Sequence, residues 1–138
     1  MTNRLALLRS FASLASFKTL YDNARENEYV VFADSTVQVV PPAYDRTAFE
    51  ASENHIHLLD HVTRKEFQAL LPLAPQLGAL LLASLKQTFP EKHFMVFVSV
   101  HLHDSLIIRF HQKWPGEPPF CDPVNFQSGD ERVFCVEG

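Results

Sequence analysis

Hydrophobic residues recur along this chain with two different periods, and each period predicts a different element. Near the N-terminus, apolar side chains recur at steps of three and four, which lines one face of an α-helix. These residues are Leu7, Phe11, Leu14, Phe17 and Tyr21. The pattern predicts a first helix from about Asn3 to Arg25 that packs on a sheet through an aromatic-rich stripe.

A second helix has the clearest start signal in the chain. Thr63 and Glu66 stand three residues apart, the spacing of a capping box. Val62 and Phe67 occupy the hydrophobic-staple positions on either side. The helix is expected to begin after Thr63 and to stop at Phe89-Pro90.

The apolar middle of this second helix, Leu70 to Leu85, contains Pro72 and Pro75. A proline inside a helix removes one backbone hydrogen bond and its ring clashes with the preceding turn. We therefore expect the helix to break or kink there. The stretch is also shorter than the roughly 20 apolar residues that cross a membrane, so no membrane partner is expected.

From His93 onward the hydrophobic period changes to two, which predicts a strand. Phe94, Val96, Val98, Val100 and Leu102 share one face. The turn His103-Asp104-Ser105 leads to a second strand, Leu106 to Lys113. A three-residue loop there places Leu102 opposite Leu106, Val100 opposite Ile108, Ser99 opposite Arg109 and Phe97 opposite His111.

Further strands are predicted from β-branched and aromatic runs. The runs Tyr29 to Ala33 and Thr36 to Val40 indicate a hairpin around Asp34-Ser35. Glu53 to Leu59 and Arg132 to Val136 indicate two short strands, and a helical turn is expected within Tyr44 to Ala51.

The element order predicted in this way is α-β-β-(β)-α-β-β-β in one domain, residues 1–138. Hairpins in place of βαβ units favour an antiparallel sheet. We expect an α+β fold with about five or six strands and two main helices packed on one face.

Composition narrows the class of partner. The net charge is −4, and segment 117–138 holds five acids against the single base Arg132, a net −4 by itself. An acidic chain without basic stripes argues against nucleic-acid binding. The acidic segment is interpreted either as a solvated surface or as a docking face for a basic partner.

Two cysteines, Cys121 and Cys135, are too few for a disulfide framework and lack zinc-finger spacing. Free buried thiols in a reducing compartment fit better than one bond, and the N-terminus lacks a secretory signal. A cytoplasmic location is therefore expected.

All seven histidines lie between His55 and His111. Two pairs, His55 with His57 and His101 with His103, have the alternation that puts side chains on one face of a strand, with Cα atoms about 6.6 Å apart. If both pairs converged, they could hold zinc or iron in a metal-dependent enzyme. The other interpretation is solvated imidazoles on the polar side of amphipathic strands.

A third group of candidates lies on neighbouring strands. Ser99, His101, Arg109 and His111 share the polar face and could bind a small anionic ligand in a regulatory domain. Ser99 lacks the Gly-x-Ser-x-Gly context of a nucleophile elbow, so no catalytic residue is assigned.

The loop after residue 113 supplies a candidate interface. Trp114 and Phe120 lie among prolines there and could anchor a protein contact, including that of a homodimer. The alternative is that Trp114 folds back over one end of the core. The four glycines are isolated, so no phosphate-binding loop is present. The sequence thus favours a small non-catalytic binding protein of unknown ligand.

Overall fold

Helices and strands alternate irregularly along the chain, and each strand pairs antiparallel with its neighbours. The computed structural model describes residues 2–41 and 44–138. Its elements are α1 (Thr2–Leu14), β1 (Phe17–Asp22), β2 (Asn27–Phe32), α2 (Arg46–Glu53), β3 (His55–Asp60), α3 (Arg64–Thr88), β4 (Phe94–His101), β5 (Ser105–Gln112), a 3-10 turn (Pro123–Phe126) and β6 (Glu131–Glu137). The predicted α+β class with six antiparallel strands is confirmed.

The six strands form two sheets. β3, β5, β4 and β6 lie side by side in that order, while β1 and β2 form a separate hairpin. Helix α3 packs across one face of the larger sheet and α1 packs on α3. We call the face toward α3 the inner face and the opposite one the outer face.

The inner face carries the aliphatic residues that the period-two pattern selected. Phe94, Val96, Val98 and Val100 are at most 1% exposed and join the main core with residues of α1, α3, β2 and β5. Burial of such side chains contributes about 1.5–3 kcal/mol each relative to exposure, so this face dominates the packing energy.

The start of α3 is as predicted. The Thr63 side chain accepts a hydrogen bond from the Glu66 backbone N–H at 3.2 Å, and the Thr63 N–H donates to Glu66 Oε1 at 3.2 Å. Both partners of the capping box are therefore satisfied, and the helix ends with Phe89 as its C-cap.

The predicted break in this helix is wrong. α3 continues through Pro72 and Pro75 as one helix of 25 residues. The two halves bury side chains against the same sheet, including Leu70 and Leu77, and this burial outweighs the missing backbone bonds. By length and composition, α3 is long and apolar enough to cross a membrane. This is weak evidence for a membrane span, because the core helix of a folded domain has the same length and composition.

The predicted first helix is too long. α1 ends at Leu14, where the Ser84 hydroxyl of α3 lies 3.2 Å from the carbonyl oxygens of Ala12 and Ser13. Residues 17–22 form β1 instead, because a complementary strand is available at 27–32. Tertiary pairing here overrides a helical spacing of apolar residues.

The predicted hairpin partner is also wrong. β2 pairs with β1, and residues 36–40 are irregular. The β1–β2 turn is held by Asp22, whose carboxylate accepts from the backbone N–H groups of Ala24 and Arg25 at 3.0 and 3.4 Å. An aspartate that bonds its own turn in this way is a local hairpin signal.

The β4–β5 register differs from the prediction by two residues. Val100 pairs with Leu106, and Arg109 lies opposite Phe97 rather than Ser99. The turn spans residues 102–104, one residue earlier than expected. A shift of two preserves which face each side chain occupies, so the inner and outer assignments still hold.

Candidate functional site

The outer face of the larger sheet is where most of the candidate residues meet. Arg109 of β5 lies there between two cross-strand partners, His55 of β3 and Phe97 of β4. Residues 114–130, which we call the lobe, connect β5 to β6 and bring Phe120 against this face.

His111 holds the lobe to the sheet. Its Nδ1–H donates to the Gln112 carbonyl at 2.7 Å and its Nε2 accepts from the Phe120 backbone N–H at 3.1 Å. The expectation that His111 is available to a ligand is not met, because the lobe leaves it only 1% exposed. Burial lowers the pKa of His111, so the ring is neutral with both nitrogens in use.

A second anchor joins the lobe to α2. Arg46 Nε lies 2.6 Å from Glu117 Oε2, and Glu117 Oε1 accepts from the Thr47 backbone N–H at 2.8 Å. Burial acts to raise the pKa of Glu117, but these bonds outweigh it and lower the pKa overall. Glu117 is therefore ionised, and the charge of Arg46 balances its own within the fold.

Near β6 the lobe is anchored by Gln127 and Ser128. The Gln127 side-chain amide donates to the Val133 carbonyl at 2.7 Å, and the Ser128 backbone N–H donates to the Glu131 carbonyl at 2.9 Å. The lobe is thus fixed along its length.

Arg109 and His55 cap the end of α2. Arg109 Nη1 donates to the Ala51 carbonyl at 2.7 Å, and His55 Nδ1–H donates to the adjacent Ser52 carbonyl at 2.6 Å. Carbonyl groups at a helix C-terminus lack helical partners and carry partial negative charge, so both contacts are favourable. The Arg109 guanidinium also lies 4.2 Å from the Phe120 ring centroid.

The remaining Arg109 nitrogens stay accessible. In residues 2–41 and 44–138, no carboxylate forms an ion pair with Arg109, and no buried side-chain nitrogen lacks a hydrogen-bond partner. Since Nε and Nη2 make no hydrogen bond to the described residues, each keeps some solvent contact in this half-buried side chain. Burial lowers the pKa of Arg109, but an arginine remains charged at neutral pH.

Ser99 lies on a different part of the outer face from Arg109. It lines a cavity of about 220 Å³ together with Phe120, Cys121, Phe126, Glu131 and Val133. The walls are mainly apolar with one carboxylate. His101, at the end of β4, is partly exposed and lies 4.0 Å from Asp104.

Both cysteines are free thiols. Burial raises the pKa of Cys135 to about 11 and also raises that of Cys121. The thiolate is the nucleophile, so neither side chain is activated for covalent chemistry.

The two histidine pairs do not converge. The rings of His55 and His57 meet edge to face on edge strand β3 with centroids 5.7 Å apart. Strand β5 separates them from β4, which ends at His101. His103 sits in the following turn with φ of 62°. Among the described residues, no three His, Cys, Asp or Glu side chains are arranged to hold a metal ion.

Trp114 is half-buried and packs back against α2 and β2. Its ring is 5.4 Å from the Tyr29 ring centroid, Arg46 lies over it at 4.8 Å, and its Nε1–H donates to Glu50 at 2.7 Å. This is the fold-back arrangement that the sequence left as an alternative.

Sequence reasoning missed Glu50, a fully buried carboxylate. Its two oxygens accept from the backbone N–H groups of Val30 and Gln112, the Gln112 side-chain amide and the Trp114 indole, all at 2.7–2.8 Å. Burial raises the pKa of Glu50, and the four donors act against that rise. No unused acceptor position remains for a substrate.

Asn54 continues this arrangement along the edge of β2. Its side chain accepts from the Phe32 N–H at 3.3 Å and donates to the Val30 carbonyl at 2.8 Å. Gln112 donates to the Glu28 carbonyl at 3.0 Å. We call Glu50, Asn54 and Gln112 the clasp, because these side chains replace a neighbouring strand and join the hairpin to the larger sheet.

An apolar groove of about 660 Å³ lies beside α1. Its walls include Leu7, Phe11, Leu14, Phe32 and Ile56. Ser10, Ser16 and Asp34 also line this groove, although most of its wall is hydrocarbon.

Comparison with protein-family models, with curated proteins and with solved structures returned no significant match.

Proposed function

We propose that the chain is a non-catalytic binding domain that recognises a basic protein partner through the lobe. One observation carries the proposal: the lobe is anchored to the fold, yet it displays apolar side chains among acids. Phe120, Val124 and Phe126 are 45%, 78% and 37% exposed. An anchored loop loses little conformational freedom on binding, which favours affinity.

Charge identifies the class of partner. Asp122 and Asp130 are exposed and Glu131 is half-buried, and none of the three has an ion pair within the described chain. The cavity beside them has apolar walls and the Glu131 carboxylate. A lysine or arginine side chain matches it, since its methylene groups suit the walls and its charge suits the carboxylate.

A second copy of the chain suits the lobe less well. Two lobes facing each other would bring like charges together, which opposes association. The homodimer therefore ranks below a basic partner, and light scattering at high protein concentration tests it separately.

Support for a non-catalytic role comes from the titratable groups in the interior. Glu50 and His111 have pKa values shifted by burial, as catalytic groups often do. However, Glu50 accepts four hydrogen bonds and both His111 nitrogens are occupied. Their environments stabilise structure rather than expose a reactive atom.

The test uses a helical peptide of alternating Lys and Leu blocks and the same peptide with Glu in place of Lys. The basic peptide should shift backbone amide resonances of the lobe and β6, and the acidic one should not. Phe126→Ala should weaken binding about tenfold, as truncation of an interface aromatic often does.

Matched variants separate specific recognition from general attraction to an acidic protein. Asp130→Lys should weaken binding several-fold, and Glu91→Lys, which changes an equally exposed acid outside the lobe, should have a smaller effect. Equal effects of the two reversals, or resonance shifts elsewhere on the surface, would overturn the proposal.

A further inference from the structure

We propose that Arg109, His55 and His57 form a binding site for a phosphoryl group at the β3 side of the outer face. This inference does not rest on the lobe's basic partner, although Phe120 of the lobe borders both sites. It assigns to one site residues that the sequence had divided between an anion site and a metal site.

The fold brings these three side chains together in two ways. His55 and Arg109 are cross-strand partners, and both donate to successive carbonyls at the end of α2, Ala51 and Ser52. His57 follows two residues later on the same strand, with its ring centroid 5.7 Å from that of His55. The three residues therefore occupy neighbouring positions on one face of β3 and β5.

The donors left over suit an oxyanion. Arg109 uses Nη1 for the helix end, while Nε and Nη2 bond to no described residue and are not fully buried. These two nitrogens form the edge of a guanidinium that binds phosphate in a bidentate way. The Nε2 atom of His55 makes no hydrogen bond to the described residues, because its protein contact uses Nδ1.

Phe120 and Asp60 shape the site from opposite sides. The Phe120 ring covers the guanidinium at 4.2 Å and holds its plane, which leaves the edge for the ligand. Asp60 lies 3.6 Å from His57 Nδ1, and its carboxylate opposes an anion at that side. The strongest contact is therefore expected at Arg109, with His57 secondary.

Inorganic phosphate is the probe, and the readout is the ¹⁵N-labelled imidazole and guanidinium resonances at constant pH and ionic strength. Phosphate should shift the signals of His55, His57 and Arg109 in a saturable way, and an equal ionic strength of chloride should not. The chloride arm removes general salt effects on charged groups.

Two variants and one control decide the assignment. Arg109→Lys keeps the positive charge but loses the planar guanidinium edge with its two parallel N–H donors. This variant should therefore weaken phosphate binding at least tenfold. His57→Ala removes an exposed ring and should weaken it about threefold, while His93→Ala, an exposed histidine elsewhere, should leave it unchanged.

The amide spectrum of Arg109→Lys shows whether the fold is retained. If that variant unfolds, the His57 and His93 pair still tests the site. Unsaturable shifts, or equal phosphate affinity for His57→Ala and His93→Ala, would overturn the proposal. Tighter binding of O-phosphoserine than of inorganic phosphate would show that the phosphoryl group belongs to a larger ligand; equal affinity would indicate a free ion.

Discussion

The clasp and the outer face use similar polar side chains in opposite ways. In the clasp, Glu50 accepts four hydrogen bonds and is fully buried. On the outer face, half-buried Arg109 makes one hydrogen bond to the described residues and leaves two of its nitrogens without a protein partner. The difference shows that saturation of hydrogen-bonding capacity, rather than a shifted pKa, separates polar groups that are committed to the fold from those that keep unused donors.

The clasp also covers the edge of β2 that does not pair with β1. One side of this strand pairs with β1, but its other edge has no neighbouring strand. The clasp side chains bond the polar groups of residues 28, 30 and 32 along that edge. An unpaired edge invites pairing with strands of other chains, so its coverage by the clasp opposes such pairing.

Replacement of Glu50 by glutamine is expected to cause the largest loss of stability, and it tests whether the hydrogen bonds of the clasp are saturated. Glutamine keeps the shape but turns one acceptor oxygen into an NH₂ group, so two of the four donors lose their acceptor. Two unsatisfied buried donors are expected to destabilise the protein by about 2–4 kcal/mol. Urea unfolding monitored by Trp114 fluorescence measures the change.

Glu53→Gln is the matched control, since Glu53 lies in the same helix, is half-buried and accepts from the Ser35 hydroxyl. A smaller loss, below about 1 kcal/mol, is expected there because a lost partner can be replaced by water. Equal losses for both variants would show that the clasp is no more saturated than a surface contact.

Sequence patterns predicted the inner face well and the clasp not at all. The period-two run in β4 and the Thr63 capping box depend on residues close in the chain, so local rules identify them. The clasp joins residues 20 to 84 positions apart, such as Glu50 with Trp114. Nothing in the neighbourhood of Glu50 distinguishes it from an ordinary helix surface residue.

The errors in the predicted fold also come from contacts between residues that are distant in the chain. Phe17 and Tyr21 continue the helical spacing of α1, but the pairing of residues 17–22 with β2 decides their structure. For the candidate site, the sequence placed Arg109 on the correct face but could not foresee that the lobe buries His111. Nor could it show that His55 lies opposite Arg109, because β3 pairing is long-range.

The second test asks whether His111 behaves as a structural group. His111→Gln can retain an acceptor for the Phe120 N–H but loses the donor to Gln112, and a loss of about 1–2 kcal/mol at pH 7.5 is expected. Because burial lowers the pKa of His111, the unfolded chain binds the proton more readily than the folded one. The contribution of His111 is therefore fully present above the unfolded value of 6.5 and is lost as the pH falls below it.

The measurement compares the unfolding free energies of the original protein and of His111→Gln from pH 7.5 down to 5. The glutamine variant does not titrate at this position, so the stability difference should narrow as the pH falls. A constant difference across this range would mean that folding leaves the pKa of His111 unchanged, and it would return this residue to the candidates for ligand binding.

The smallest change in stability is expected for substitution of Val124, an exposed apolar residue of the lobe. Val124→Ser changes a side chain that is 78% exposed, so the free energy of unfolding should change by no more than about 0.5 kcal/mol. Val39→Ser is its match at 77% exposure outside the lobe. If the lobe is a binding surface, only the Val124 variant should lose affinity for the basic peptide while both keep their stability. A marked stability loss in Val124→Ser alone would instead assign Val124 to the packing of the lobe, and the apolar part of the proposed surface would be reduced to Phe120 and Phe126.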